Sequence, residues 1–188
     1  MRTPPAWLHF PTWNFVIGAH NKCGSTTLLD NFCTVHQAPP RRYERLRWEE
    51  LPSGVRRIGV IRHPSQRFYS LYNEISNGQL GRGPGSLYQQ MRGMSEWDVL
   101  AKIHELGLDY DAHFQPQSRI GLFHRGVDLV PLPDLDGWWQ KHTGRELIHY
   151  RDRSQGKPWP VDSDVERRLK ELYPSDFMLW ERATDGTQ

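Results

Sequence analysis

The stretch from Asn14 to Val35 constrains this chain most. Asn14-Phe15-Val16-Ile17-Gly18 is a short apolar run ending in glycine, the pattern of a buried strand. Ala19 to Gly24 reads as a tight loop. From Ser25 to Val35 the residues Leu28, Leu29 and Phe32 recur at helical spacing, with Ser25 and Thr26 available as N-caps. A helix fed by a glycine-bearing loop presents unpaired backbone N–H groups and the positive end of its dipole, which together make an anion site. Lys22 adds a point charge to that loop, and Ser25, Thr26 and Thr27 add hydroxyl donors. The order differs from the nucleoside-triphosphate loop, in which Lys follows the second glycine and precedes Ser or Thr: Lys22 stands two residues before Gly24, and no Lys follows it.

The same alternation continues downstream. Arg57-Ile58-Gly59-Val60-Ile61-Arg62 is a second buried-strand candidate closed by His63-Pro64. Ser65 to Ser76 is helical, with Phe68, Leu71, Tyr72 and Ile75 on one stripe. Met94 to Leu106 reads as an amphipathic helix, Leu135 to Thr143 as a short one, and Val165 to Tyr173 as a last one followed by Pro174-Ser175-Asp176-Phe177. Ile120–Phe123, Val127–Val130 and Glu146–Tyr150 are expected strands. Pro4, Pro5 and Pro11 mark the first dozen residues as an irregular lead-in. Gly78 to Gly85, the polar-aromatic stretch Asp109 to Gln117, and the basic run Arg151 to Pro160 read as loops. Strands alternating with helices predict an α/β fold with a central parallel sheet covered by helices on both faces, and 188 residues fit a single domain over 1–188.

Composition narrows the partners. Lys plus Arg is 24 and Asp plus Glu is 22, a net charge of +2, which excludes a chain that coats nucleic acid but leaves room for a local anion site. No apolar run approaches 18 residues, and the opening MRTPPAWLHFPTW lacks the apolar core of a secretory signal, so a cytoplasmic setting without membrane contact is expected. Cys23 and Cys33 form neither a disulfide framework nor a four-ligand zinc site, and the nine histidines show no metal-ligand spacing, so no metal is expected.

A second anion motif follows the second strand. Arg62 stands at that strand's carboxyl end, where open α/β sheets bind ligands. Ser70 lies two helical turns further on. An arginine and a hydroxyl make a clamp for a second phosphate, whereas Ser70 taken alone is an ordinary helix-surface serine.

Together the two segments resemble sulfotransferases that use 3′-phosphoadenosine 5′-phosphosulfate (PAPS), in particular the carbohydrate sulfotransferases of Golgi type and their compact bacterial relatives. Lys22-Cys23-Gly24-Ser25-Thr26-Thr27-Leu28 is similar to that family's loop for the donor's 5′-phosphosulfate. Arg62-His63-Pro64 through Arg67-Phe68-Tyr69-Ser70-Leu71-Tyr72 is similar to its 3′-phosphate site. Asp111-Ala112-His113-Phe114-Gln115-Pro116-Gln117 and Leu172-Tyr173-Pro174-Ser175-Asp176-Phe177 extend the likeness over most of the chain. The resemblance implies a P-loop-like three-layer fold, PAPS as donor, and in-line transfer of the sulfuryl group to a hydroxyl or amine acceptor, with a carbohydrate as the favoured acceptor class. The late basic loop is the segment that it would fold over the donor, with Arg153 and Lys157 as contacts. Ser25 stands where relatives often carry a second glycine, the Golgi enzymes' membrane anchor is missing, and the interval from Lys22 to Arg62 is short for the family.

A hydroxyl acceptor benefits from a general base. His113 is the first candidate, with Asp111 beside it to orient the ring. Glu44 is the second, because some relatives place a glutamate base between the two phosphate motifs. His36 and His20 are weaker candidates. Arg41, Arg42, Arg45 and Arg47 suit either an anionic acceptor or a solvated face balanced by Glu44, Glu49 and Glu50. Of the eight tryptophans, some could line a sugar-stacking cleft, while Trp138, Trp139 and Trp180 read as packing. Two other functions compete: a P-loop nucleotide kinase or hydrolase, and a non-catalytic nucleotide-binding module.

Overall fold

A computed structural model of the chain describes residues 6–37, 45–80, 85–149 and 162–185. Four strands form one sheet in the order β1-β2-β3-β4: β1 is Trp7–Phe10, β2 Phe15–Ala19, β3 Arg56–Ile61 and β4 Val127–Pro131. β2, β3 and β4 are parallel, and β1 is an antiparallel edge. Seven α-helices lie among the described residues: α1 Ser25–Val35, α2 Pro64–Ser76, α3 Leu87–Met91, α4 Glu96–Leu106, α5 Leu135–Thr143, α6 Ser163–Leu172 and α7 Pro174–Thr184. The chain is therefore mixed α/β, with a mostly parallel sheet.

Period-two alternation sorts the strand residues between the two faces. Phe15, Ile17, Ala19, Ile58, Val60 and Val130 face Leu28 and Phe32 of α1 and Leu135 and Trp139 of α5. Val16, Ile61, Val127 and Leu129 face the other way, against Ile120, Leu122 and Leu179 of α7. Ile17 and Ile58 are wholly buried, and truncating either to Ala should cost roughly 2–5 kcal/mol. A separate helical cluster joins Phe68, Leu71 and Ile75 of α2 to Leu100 and Ile103 of α4 and Leu169 of α6. So β2 hands the chain to a helix lying on the sheet, whereas β3 hands it to a helix packed elsewhere. The two connections thus diverge at the carboxyl ends of two neighbouring parallel strands, the position at which open α/β sheets bind ligands.

Four expectations change. Trp7–Phe10 is a strand, because Pro11 opens a 3-10 turn at Pro11–Trp13 that leads directly into β2 and so punctuates a hairpin. Residues 120–123 are not a strand: Gln117–Ile120 is a 3-10 turn, ended by Gly121 at φ +93°. Residues 146–149 form no strand with any described residue; the Asn31 side chain takes both backbone groups of Ile148, at 2.8 and 2.9 Å. Pro174 begins a helix instead of ending one, since the first helical position needs no N–H.

Candidate functional site

The loop from His20 to Gly24 leaves β2 and turns sharply. Lys22 and Gly24 both have left-handed backbone, at φ +68° and +81°. Glycine suits position 24, where the backbone is left-handed and a Cβ would stand 2.8 Å from Leu132 Cδ1, so that the leucine would have to move. α1 then starts with no side-chain cap and no acidic residue in its first turn. Its first amides, on Ser25, Thr26 and Thr27, thus leave a positive dipole end uncompensated from within the helix.

Cys23 is wholly buried and its thiol donates to Gln117 Oε1 at 2.8 Å, while its backbone N–H donates to the His20 carbonyl. Burial pushes the thiol up to about 12, so it remains protonated and unreactive. Its side chain thereby locks the loop to Gln117 and is withdrawn from solvent, so only its backbone is left to meet a ligand. Gln117 is the counterpart of this lock. Its Oε1 accepts the Arg62 N–H at 2.9 Å and its Nε2 donates to the Arg62 carbonyl at 2.9 Å, so one side-chain amide continues β3 past its last residue. Asp176, fully buried, accepts from the backbone N–H groups of Gln117 and Ser118 at 2.9 and 3.2 Å.

Arg67 ties three segments together from within. Its guanidinium donates to the Asn21 carbonyl at 3.2 Å, to the His113 carbonyl at 3.1 Å and to the Gln115 carbonyl at 2.6 Å, and it lies 3.7 Å from Asp176. It also meets His20 Nδ1 at 3.2 Å. Guanidinium only donates, so His20 Nδ1 accepts and carries no proton. Burial first, then the Arg67 charge, holds the His20 imidazole well below the ordinary histidine value. His20 therefore shapes the loop as a neutral ring.

The two anion motifs converge. Arg62 Nη1 donates to the Lys22 carbonyl at 3.1 Å, while its Nε is buried with no hydrogen-bond partner among the described residues. Burial lowers the Arg62 guanidinium from its usual value, and no ion pair to it occurs among the described residues. The Lys22 ammonium forms an ion pair with Glu74. Arg67, Ser70 and Glu74 recur at the i, i+3, i+7 spacing of one helical stripe. Arg67 and Glu74 both reach the loop after β2, so Ser70, half-buried between them, faces that loop too.

His113 stands in a hydrogen-bonded triad. Its Nδ1 lies 2.8 Å from Asp111 Oδ1, and the Tyr88 hydroxyl lies 2.5 Å from the same oxygen and 3.0 Å from the ring nitrogen. Burial alone would raise the Asp111 carboxyl, but hydrogen bonds from Tyr88 and from the backbone and ring of His113 outweigh it and hold the group below the usual carboxylate range. An ionised Asp111 can only accept, so His113 Nδ1 carries a proton, which makes Nε2 the basic nitrogen of the neutral ring. Burial, with the hydrogen bond and charge of Asp111 and the charge of Glu74, raises the Tyr88 phenol well above its ordinary value.

The structure thus brings together Lys22, Gly24, Ser25–Thr27, Arg62, Ser70 and, through Arg67, the His113 loop. Glu44, Arg41, Arg42, Arg153 and Lys157 lie outside the described residues. Sequence reading missed Arg67, Glu74, Tyr88 and Gln117. Only the stripe shared with Ser70 could have pointed to Glu74. Trp139 is core, and Trp180 packs edge-on to His63 at 5.3 Å. Among the described residues no group of three or more His, Cys, Asp or Glu side chains could hold a metal, and no helix is long and apolar enough to cross a membrane. No family model, curated protein or solved structure matches the chain.

Proposed function

We propose that this protein is a sulfotransferase of P-loop-like fold, acting in the cytoplasm, that moves a sulfuryl group from PAPS to a hydroxyl or amine acceptor, with a carbohydrate as the favoured class. The observation that carries this reading is the bond from Arg62 to the Lys22 carbonyl at the shared carboxyl edge of β2 and β3. It sets the Arg62 side chain against the Lys22 loop, beside an uncapped helix start, with the half-buried Ser70 on the helix that follows β3. Such a layout suits a ligand carrying phosphates on both sides of a ribose. The buried Nε of Arg62, without a partner among the described residues, is what a second phosphate would satisfy.

The donor supplies an activated sulfuryl group with adenosine 3′,5′-bisphosphate as leaving group. Lys22 and the amides of Ser25–Thr27 would hold the 5′-phosphosulfate and offset charge on the departing phosphate oxygen. Arg62 and Ser70 would hold the 3′-phosphate. His113 Nε2 would take the acceptor's proton as its oxygen attacks sulfur, the S–O bond to phosphate breaks, and the electron pair leaves on that phosphate. Asp111 fixes the tautomer that makes Nε2 the base.

Thermal unfolding tests this without any known acceptor. A ligand that binds only the folded state at a hundredfold excess over Kd adds about 2.7 kcal/mol, or roughly 5–11 °C for a domain of this size. Adenosine 3′,5′-bisphosphate should produce that shift and magnesium-ATP much less, because ATP strings its phosphates along one side and leaves Arg62 unmatched. A larger shift with magnesium-ATP overturns the reading in favour of a nucleotide kinase. Transfer of label from PAPS to candidate sugars separates an enzyme from a binding module.

A further inference from the structure

The ion pair between Lys22 and Glu74 joins the phosphate loop to a carboxylate that no sequence motif singled out. We propose that Glu74 is a positioning residue: it restrains the Lys22 ammonium, and the donor's 5′-phosphate must win Lys22 away from it. This rests on the sulfotransferase reading above and concerns how that site selects its ligand.

Both partners are mostly withdrawn from water, with side-chain exposures of 14% for Lys22 and 24% for Glu74, so their attraction exceeds that of an ordinary surface pair. Neither end can drift far. The Lys22 backbone is pinned at φ +68° and its carbonyl is held by Arg62. Glu74 sits near the end of α2, on the same stripe as Arg67, which is itself anchored to Asn21, His113 and Gln115. The charge of Glu74 also reaches Tyr88, the partner of Asp111 and His113.

An anion at the start of α1 therefore competes with Glu74 for a single ammonium and feels its like charge. A lone phosphate gains Lys22 only by giving up that existing pair. A nucleotide bisphosphate has Arg62 and Ser70 as further holds and can bear the exchange. Glu74 would thus weaken every anion at the first position by a similar factor, so that a lone phosphate loses useful affinity while a bisphosphate, with Arg62 and Ser70 as further holds, still binds. The same carboxylate, re-pairing with Lys22, would assist departure of the product nucleotide.

The test is calorimetric titration of adenosine 3′,5′-bisphosphate into the wild type, Glu74→Gln, Lys22→Gln and the double variant at one salt concentration. Glu74→Gln should bind roughly three- to tenfold tighter than wild type, a gain of the size expected for one partly screened charge pair. That gain should be at least halved in the Lys22→Gln background, because the effect acts through Lys22. Structural damage does not tighten binding, so the direction alone separates positioning from scaffolding; if Glu74→Gln fails to fold, Glu74→Met supplies the comparison. Unchanged or weaker binding by a cooperatively folded variant overturns the proposal, as does an equal gain in both backgrounds, while wild-type binding leaves the sulfotransferase reading standing. Failure of the wild type and every variant to bind the bisphosphate overturns both.

Discussion

The guanidinium of Arg62 donates to the backbone carbonyl of Lys22 at 3.1 Å, across 40 residues of sequence. The two cations expected to hold different phosphates are thus mechanically coupled before any ligand arrives. Arg62 is in turn clamped through both of its backbone groups by Gln117. A guanidinium so pre-positioned needs little reorganisation when it meets ligand charge.

Removing the Arg62 guanidinium should therefore discriminate between nucleotides. Arg62→Ala is expected to weaken adenosine 3′,5′-bisphosphate by roughly 1.5–3 kcal/mol, the worth of a hydrogen bond to a charged group. Adenosine 5′-phosphate should lose far less. Ser70→Ala should show the same preference with a smaller loss. Calorimetric titration of both nucleotides checks this, and equal losses would remove Arg62 and Ser70 from the 3′-phosphate site.

Gln117→Leu should be among the most damaging substitutions in the chain. The leucine leaves the Arg62 N–H and carbonyl without partners and takes away the acceptor of the Cys23 thiol. Each buried group so orphaned costs about 1–3 kcal/mol. A loss of roughly 3–5 kcal/mol in urea unfolding is expected, from a protein whose total stability is of the order of 5–15 kcal/mol. A loss under about 1 kcal/mol would mean that water replaces Gln117 without difficulty.

Local signals account for what sequence reading recovered. β2, α1, β3, α2 and α5 were legible because each combines a periodic apolar pattern with a glycine or proline boundary. β1 was not, since Pro11 drew attention to what it blocks and not to the hairpin it turns. α7 was hidden for the same reason at Pro174. Lys22, Arg62 and Ser70 were legible as site candidates from their positions at strand ends and helix starts. Arg67, Gln117 and Asp176 were not, because their side-chain partners lie 46 or more residues away and no spacing rule links them. Buried polar networks are solved in three dimensions, so their members look like ordinary polar residues in the sequence.

His20 should make stability depend on pH on the acid side. Its folded pKa lies below the ordinary 6.5, so below that pH the unfolded chain binds a proton that the folded one refuses. Stability then falls as pH drops from 6.5 toward the folded value, by at most about 1.4 kcal/mol per pH unit, and is unaffected by this group above 6.5. His20→Asn keeps an acceptor for Arg67 without a titrating ring. Urea unfolding between about pH 5 and pH 8 should show the variant with the flatter acid limb. Parallel curves for the two proteins would place the proton elsewhere.

Asp111 provides the sharpest test of catalysis, because its two roles have different signatures. As a structural acceptor it binds Tyr88, the His113 backbone and the His113 ring. Its folded pKa is depressed, so its stabilising contribution is present above its unfolded pKa and is lost as pH falls through the folded one. Asp111→Asn should accordingly be less stable than wild type at neutral pH and converge with it in acid. As the group that fixes the His113 tautomer, it should also set turnover. Asp111→Asn is expected to lower sulfuryl transfer roughly 10–100-fold, and His113→Ala roughly 10²–10⁴-fold, with bisphosphate affinity kept in both. Asp111 acts through His113, so adding Asp111→Asn to His113→Ala should cost no further turnover. A full additional loss in the double variant would show that Asp111 serves the reaction independently. Unchanged turnover in His113→Ala would remove the triad from the chemistry and leave it as a scaffold for the loop that Arg67 holds.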